Sequence, residues 1–205
     1  MKVPEFVYLF PAAYLIGSIP TSYWIGRVFF RINLLEHGSK NVGATNAWRI
    51  LGPPVGILVL VLDLLKGYLP VLYTISKFSH QSPIPVMIGI TCVIGHSISP
   101  FLKFRGGKGV ATSAGIFLAL APKALGICLG LFLIVVAITR YVSLGSMMAA
   151  ITFPILSYIY YPQNPLIWQI GSGIALLILI RHRANLGRLL NGNENRLSFS
   201  KSKKL

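Results

Sequence analysis

The chain has 205 residues, 54% of them hydrophobic and 11% charged, with a mean hydropathy of +0.70. A soluble domain of this size would carry roughly a quarter charged residues, so this is an integral membrane protein. The formal charge of +15 and pI near 10.2 raise nucleic acid as a partner, but the cations cluster between apolar segments and no basic domain stands apart, which excludes it and leaves anionic lipid heads or phosphorylated substrates.

The N-terminal MKVPEFVYLF lacks a small-residue cleavage site and runs into apolar sequence, so it reads as a retained first helix. Residues 6–30 form the first span, kinked by Pro20 near Gly17 and Ser18, with Arg27 and Arg31 at its cytoplasmic end. A loop over 31–53 follows and contains GSKNVGATNAWR at 38–49. Gly38 and Gly43 can take backbone angles that turn consecutive N–H groups onto an anion, and Lys40 and Arg49 supply charge. That composition cradles phosphate; taken alone it also describes a flexible cytoplasmic loop.

Pro53 and Pro54 open a second helix that runs to about Ser76. Within it Asp63 and Lys66 share one face at a depth where a lone charge is costly, which favours a structural ion pair over a direct substrate role. A third apolar segment covers about 84–99 and ends in GHSISP, followed by FLKFRGGKGVATS at 101–113. Gly106 to Gly109 precede a helix starting near Val110, whose N-terminal amides and Lys108 favour an anion. The GxxxxGK[ST] spacing is missing, so this is no nucleotide-binding loop.

The apolar run 109–139 is interrupted by Ala121, Pro122 and Lys123, and is either one long kinked helix or two short ones. Charge decides: two helices give seven spans and leave only Lys2, Lys77 and Lys123 facing outward, whereas six would expel the arginine-rich tail. The expected fold is thus all-α with seven transmembrane helices, the N-terminus outside and the C-terminus cytoplasmic. The last spans cover about 143–161 and 165–181. Gly126 with Gly130, and Ala111 with Gly115, have the spacing of close helix contacts. Cys92 and Cys128 lie far apart in apolar segments and indicate no disulfide framework. Residues 1–197 read as a single polytopic membrane domain, and 198–205 as a basic, disordered tail near the lipid surface.

Chemistry is set by what is scarce. Glu5, Glu36, Asp63 and Glu194 are the only acids, and His37, His80, His96 and His182 show no metal-ligand spacing. The position five residues after His96 is Phe101, so a His–Asp acyltransferase dyad is absent, as is a GxSxG elbow. His96 reads as a helix-end histidine bonded to backbone; His182, between Arg181 and Arg183 in RHRANLGRLLNGNENR at 181–196, is open to a site role. Rich in donors and cations and poor in bases, the three polar stretches suit one shared site for two phosphate groups, where positioning and charge stabilisation suffice for a substrate with a good leaving group. A membrane carrier for a phosphorylated metabolite is the alternative, but it calls for polar residues deep in the bundle and typically an internal repeat.

These stretches resemble the bacterial membrane acyl-phosphate:glycerol-3-phosphate acyltransferases, whose pattern includes GS.NVGATN..R, then GH followed by F.GGKGVAT, then RH..N..RL..G.E. The chain supplies Gly38 to Asn46 with Arg49, Gly95-His96 with Phe104 to Thr112, and Arg181-His182 with Asn185, Arg188, Leu189, Gly192 and Glu194. It departs at Lys40, where a small residue is more usual, at Arg105, which replaces a lysine, and at Pro100, one residue late. The resemblance implies transfer of a fatty acyl group from acyl phosphate, not acyl-CoA, to the 1-hydroxyl of glycerol 3-phosphate, in the bacterial cytoplasmic membrane and with no cofactor or metal. Its implied partners are acyl phosphate, glycerol 3-phosphate, membrane lipid and an upstream enzyme that forms the acyl phosphate. Carried over by position, Ser39, Arg49 and Lys108 are catalytic and bind glycerol 3-phosphate with His182 and Asn185. The acyl-phosphate head takes Gly43, Thr45, Asn46 and Ser143, and Gly38, Asn41, Gly106, Gly107 and Glu194 complete the substrate-binding set. With no strong base apparent, the donor's own phosphate is expected to take the hydroxyl proton; Glu194 is a rival base or an orienter of the basic tail helix.

Overall fold

The structure, a computed structural model, describes residues 4–197, so the basic tail expected over 198–205 lies outside the described residues. Among these residues the regular structure is entirely helical. One compact unit runs to Ile116 and a second begins at Phe117.

In the first unit the expected kink is a full break. Helix α1 (Leu9–Ser18) stops before Ile19 and Pro20, and α2 (Thr21–Phe29) restarts at once, because Pro20 has no N–H and its ring excludes the preceding turn. Arg31 then turns the chain in the left-handed region at φ 56°. The 31–53 segment, expected as loop, contains an unforeseen helix α3 (Ala44–Leu51). Gly52 at φ 94° reverses the chain into Pro53, the first residue of α4 (Pro53–Phe78). A Cβ at Gly56 would meet the Trp48 Cα at 2.7 Å, so this hairpin closes only on glycine.

Helix α5 (Pro83–Ser97) packs Ile88 and Cys92 on Ala13 of α1, and Leu34 and Ala47 pack on Val59 of α4. A Cβ at Gly17 would collide with the Cys92 carbonyl, and one at Gly95 with the Tyr14 carbonyl, so α1 and α5 touch backbone to backbone. Helix α6 (Val110–Leu120) approaches α4 as closely: Gly67 faces the Thr112 carbonyl and Gly115 the Leu64 carbonyl. The small-residue spacing at Gly115 therefore marks a true seam.

In the second unit the long apolar run resolves into two helices: Ala121, at φ −147°, separates α6 from α7 (Pro122–Thr139), which begins on its proline. Arg140 in the left-handed region turns the chain into α8 (Val142–Tyr160), and a short turn leads to α9 (Pro165–Arg181) and α10 (Arg183–Leu190). Phe117 stacks on Phe153 with ring centroids 3.8 Å apart, and a Cβ at Gly171 would meet the Phe153 ring at 3.0 Å. Gly126 and Gly130 correct an expectation: nothing lies within 4 Å of a Cβ built on either, so their spacing marks no helix contact.

Among the described residues, four helices, or up to five when α9 and α10 are taken as one span bent by 57°, are long and apolar enough to cross a membrane. The apolar stretches Phe6–Ser18 and Val110–Leu120 are shorter. The chain is a multi-pass membrane protein, and length and composition alone do not reach the seven spans that charge placement predicts.

Candidate functional site

The first polar loop is wound around one amide. Asn46 is buried; its Nδ2 donates to the carbonyls of Leu34 (3.2 Å), His37 (3.1 Å) and Asn41 (2.9 Å), and its Oδ1 accepts from the Ser39 N–H at 2.9 Å. Gly38 sits at φ +61°, and a Cβ there would collide with Asn46 Oδ1. Gly38 and Asn46 thus build the loop, and an amide whose donors and acceptor serve four backbone groups has little left for a ligand. What they present is Ser39, half-buried, with its backbone fixed.

Gly43 caps α3 with extended backbone (φ −104°, ψ 162°), so the amides of the first turn open on the side of the loop. Thr45 and Arg49 are four residues apart and share one face of α3, with Arg49 half-buried in the last turn. Lys40 holds φ 55°. A non-glycine residue in that region is uncommon, and its side chain is exposed.

The second loop is folded against the end of α5. After a 3-10 turn at Pro100–Leu102, Lys103 and Phe104 both take left-handed backbone (φ 51° and 63°) and reverse the chain. Gly106 N–H then donates to the Ser97 carbonyl (3.2 Å) and Gly107 N–H to the His96 carbonyl (3.0 Å). A Cβ at Gly106 would collide with the His96 carbonyl, and one at Gly107 with His96 Nε2. These glycines answer to packing beneath the loop, not to a φ only glycine can hold. Of the group only Gly109, at φ +83°, needs glycine for its angle. The effect is to set half-buried Lys108 immediately before the first amides of α6, where the partial positive charge of the helix end adds to the ammonium.

In the second unit the anchor is Glu194, whose side chain is 2% exposed. Its Oε1 accepts from Ser143 Oγ (3.0 Å) and Asn185 Nδ2 (2.7 Å), and its Oε2 from Arg188 Nε (2.7 Å). Gly192, at φ +70°, brings the chain back for this contact, and the Leu197 N–H donates to the Arg140 carbonyl at 2.8 Å. Glu194 thus holds Ser143 of α8 and Asn185 of α10 in register. A carboxylate with both oxygens engaged by three donors, one a guanidinium, is an orienter.

His182, buried between α9 and α10, donates Nδ1–H to the Ile178 carbonyl (2.8 Å); a carbonyl only accepts, so in the neutral ring Nε2 is an acceptor. Sequence reasoning gave no role to Arg188, whose opposite charge to Glu194 across the Gly192 turn was the available signal. Tyr141 was missed as well: Arg196 lies over its ring, 5.5 Å from the centroid. Ser39, Asn41, Gly43, Thr45, Arg49, Gly106, Gly107 and Lys108 lie in the first unit, and Ser143, His182, Asn185 and Glu194 in the second.

Among known proteins, the model of the Glycerol-3-phosphate acyltransferase family matches residues 7–192. A glycerol-3-phosphate acyltransferase of Fusobacterium nucleatum is 42% identical over 186 residues, which are 91% of this chain and 95% of that one. One of Trichlorobacter lovleyi is 45% identical over 184 residues, 90% of this chain and 93% of that one. The fold is similar to the crystal structure of PlsY (YgiH), an integral membrane glycerol 3-phosphate acyltransferase, in its glycerol 3-phosphate form: TM-score 0.89 at 36% identity, covering 95% and 96% of the two chains. The lysophosphatidic acid form gives 0.86 at 37% identity, covering 96% and 97%.

Proposed function

This chain belongs to the glycerol-3-phosphate acyltransferase family, and from that premise we propose that it transfers a fatty acyl group from acyl phosphate to the 1-hydroxyl of glycerol 3-phosphate. The products are 1-acyl-glycerol 3-phosphate, which is lysophosphatidic acid, and inorganic phosphate, the first acylation in phospholipid synthesis. The observation that carries this reading is the match over nearly the whole chain, at TM-score 0.89, to an integral membrane glycerol 3-phosphate acyltransferase in its glycerol 3-phosphate form.

Ser39, Arg49 and Lys108 act on glycerol 3-phosphate, with His182 and Asn185 as further binding groups. Thr45, Ser143 and the amides at Gly43 receive the acyl-phosphate head, with Asn41, Gly106 and Gly107 shaping the loops around it. The hydroxyl oxygen attacks the acyl carbonyl carbon, the bond from that carbon to the phosphate oxygen breaks, and the departing phosphate takes the hydroxyl proton. Lys108 and Arg49 offset the charge that gathers on the phosphates, and no protein base is needed. The enzyme is read as seven spans in one polytopic domain of the bacterial cytoplasmic membrane, N-terminus outside and C-terminus inside. The acyl chain enters from the bilayer, and an upstream enzyme supplies the acyl phosphate.

The test is lysophosphatidic acid formation and phosphate release by the purified full-length protein in lipid, with palmitoyl phosphate and glycerol 3-phosphate. Product from acyl phosphate but not acyl-CoA is expected, reduced about a hundredfold or more in Lys108→Ala, the scale of losing one charge-stabilising group. A folded preparation that makes no product from either donor would overturn the assignment.

A further inference from the structure

The buried Asp63–Lys66 pair stands apart from the residues given roles above, yet its bonds lead toward the second loop. Lys66 Nζ lies 2.8 Å from Asp63 Oδ1, with side chains 7% and 3% exposed. Both partners reach across to the break between α1 and α2: Lys66 Nζ donates to the Ile19 carbonyl at 3.0 Å, and Thr21 Oγ1 donates to Asp63 Oδ1 at 3.0 Å. A helix broken inside apolar surroundings leaves carbonyls that must find donors, and α4 supplies one. The next carbonyl back, that of Ser18, accepts from Ser99 Oγ at 2.6 Å, and the Ile98 carbonyl accepts from Tyr14 Oη at 2.8 Å.

Ser99 belongs to the segment on which the glycine loop rests. The Ser97 and His96 carbonyls take the Gly106 and Gly107 amides, and the Ser99 carbonyl takes the Leu102 and Phe104 amides. The break between α1 and α2 is therefore held on one side by the ion pair of α4, and it holds on the other the platform of the Gly106–Gly109 loop.

We propose that Asp63, Lys66 and Ser99 are positioning residues: they fix the α1–α2 break so that the Ser97–Ser99 platform sets the height of the glycine loop, and with it of Lys108. The pair then does more than neutralise itself. A buried ion pair gives little net stability, since desolvation offsets its attraction, but it gives direction, because each partner spends a bond on a specific atom of the break. The effect on turnover rests on the acyltransferase reading; the effect on the loop does not.

The experiment compares full-length Ser99→Ala and the double variant Asp63→Asn with Lys66→Met against wild type in lipid nanodiscs. Thr91→Ala serves as control, since its hydroxyl bonds only one turn back on α5, to the Met87 carbonyl at 2.9 Å. Amide hydrogen exchange over 103–110 is expected to rise about fivefold in both test variants, the scale of one lost hydrogen bond. Exchange over 142–160 should stay as in wild type. The KM for glycerol 3-phosphate should rise about fivefold and that for palmitoyl phosphate stay within about twofold. Unchanged exchange over 103–110 in both variants, or loosening spread equally through the protein, would overturn the proposal. A wild type without activity removes the acyltransferase reading, while the exchange pattern still decides this one.

Discussion

Glu194 takes three donors on two oxygens in surroundings that leave its side chain 2% exposed. An isosteric amide cannot match that pattern, because Glu194→Gln turns an NH2 toward either Asn185 Nδ2 or Arg188 Nε. The variant should lose about 2–3 kcal/mol of stability, the scale of one hydrogen bond to a charged group, read as a lower unfolding temperature in detergent. Its KM for glycerol 3-phosphate, through Asn185, and for acyl phosphate, through Ser143, should both rise while the rate at saturation stays within about tenfold of wild type, since in the proposed mechanism the donor's phosphate accepts the proton. A rate as low as that of Lys108→Ala, with both substrates still bound, would make Glu194 the base. At this scale the sequence shows which residues carry donors and cations, because residue type alone decides that. It does not show which way they face. Asn46 and Glu194 look like ligand contacts in a polar stretch whether they turn to a substrate or to the protein's own carbonyls and guanidinium, and the partners of each lie several to many residues away.

Helices divide along the same line. Gly115 and Gly126 both sit in small-residue spacings, yet a Cβ at Gly115 would meet the Leu64 carbonyl and the Tyr68 N at 2.9 Å, whereas one at Gly126 would meet nothing within 4 Å. Gly115→Val should therefore cost about 3 kcal/mol or more, since backbone atoms of α4 cannot move aside as a side chain end can. Gly126→Ala and Gly130→Ala should stay within about 0.5 kcal/mol, and thermal unfolding of the purified variants measures both. Equal losses at the two sites would mean that the spacing, and not the neighbour, sets the cost. A spacing marks a face; only the fold says what lies against it. Breaks were more legible, because proline acts locally: Pro20 ends α1 and Pro122 begins α7 by chemistry their neighbours cannot override. Helix α3 was hidden by its setting, eight residues that start on the glycine- and asparagine-rich loop and read as part of it.

The molecule as a whole declares its membrane character in composition, since no soluble surface could be built from so few charges. Its span count is less legible, because α6, at 11 residues, extends only about 16 Å and is short for a bilayer of about 30 Å. The second unit supplies the sharper argument. At one end Lys123 Nζ lies 4.1 Å from the Tyr160 ring centroid and its N–H donates to Tyr161 Oη, a lone cation among tyrosines such as a lipid interface favours. At the other end, through the Glu194 bonds and the Leu197–Arg140 contact, stand Arg140, Arg188 and Arg196. Helices α7 and α8, of 18 and 19 residues, separate the two ends by about 27 Å, close to the bilayer's apolar thickness. The proposed orientation, with the arginine end cytoplasmic, would turn Lys123 outward. In intact cells carrying the chain with Cys92→Ala and Cys128→Ala, Lys123→Cys should react with a membrane-impermeant maleimide from outside, and Asn193→Cys only after the membrane is opened. Reaction at Asn193→Cys and protection at Lys123→Cys would invert the orientation, and protection at both before opening, with reaction at both after it, would put the two ends on one side and end the seven-span reading.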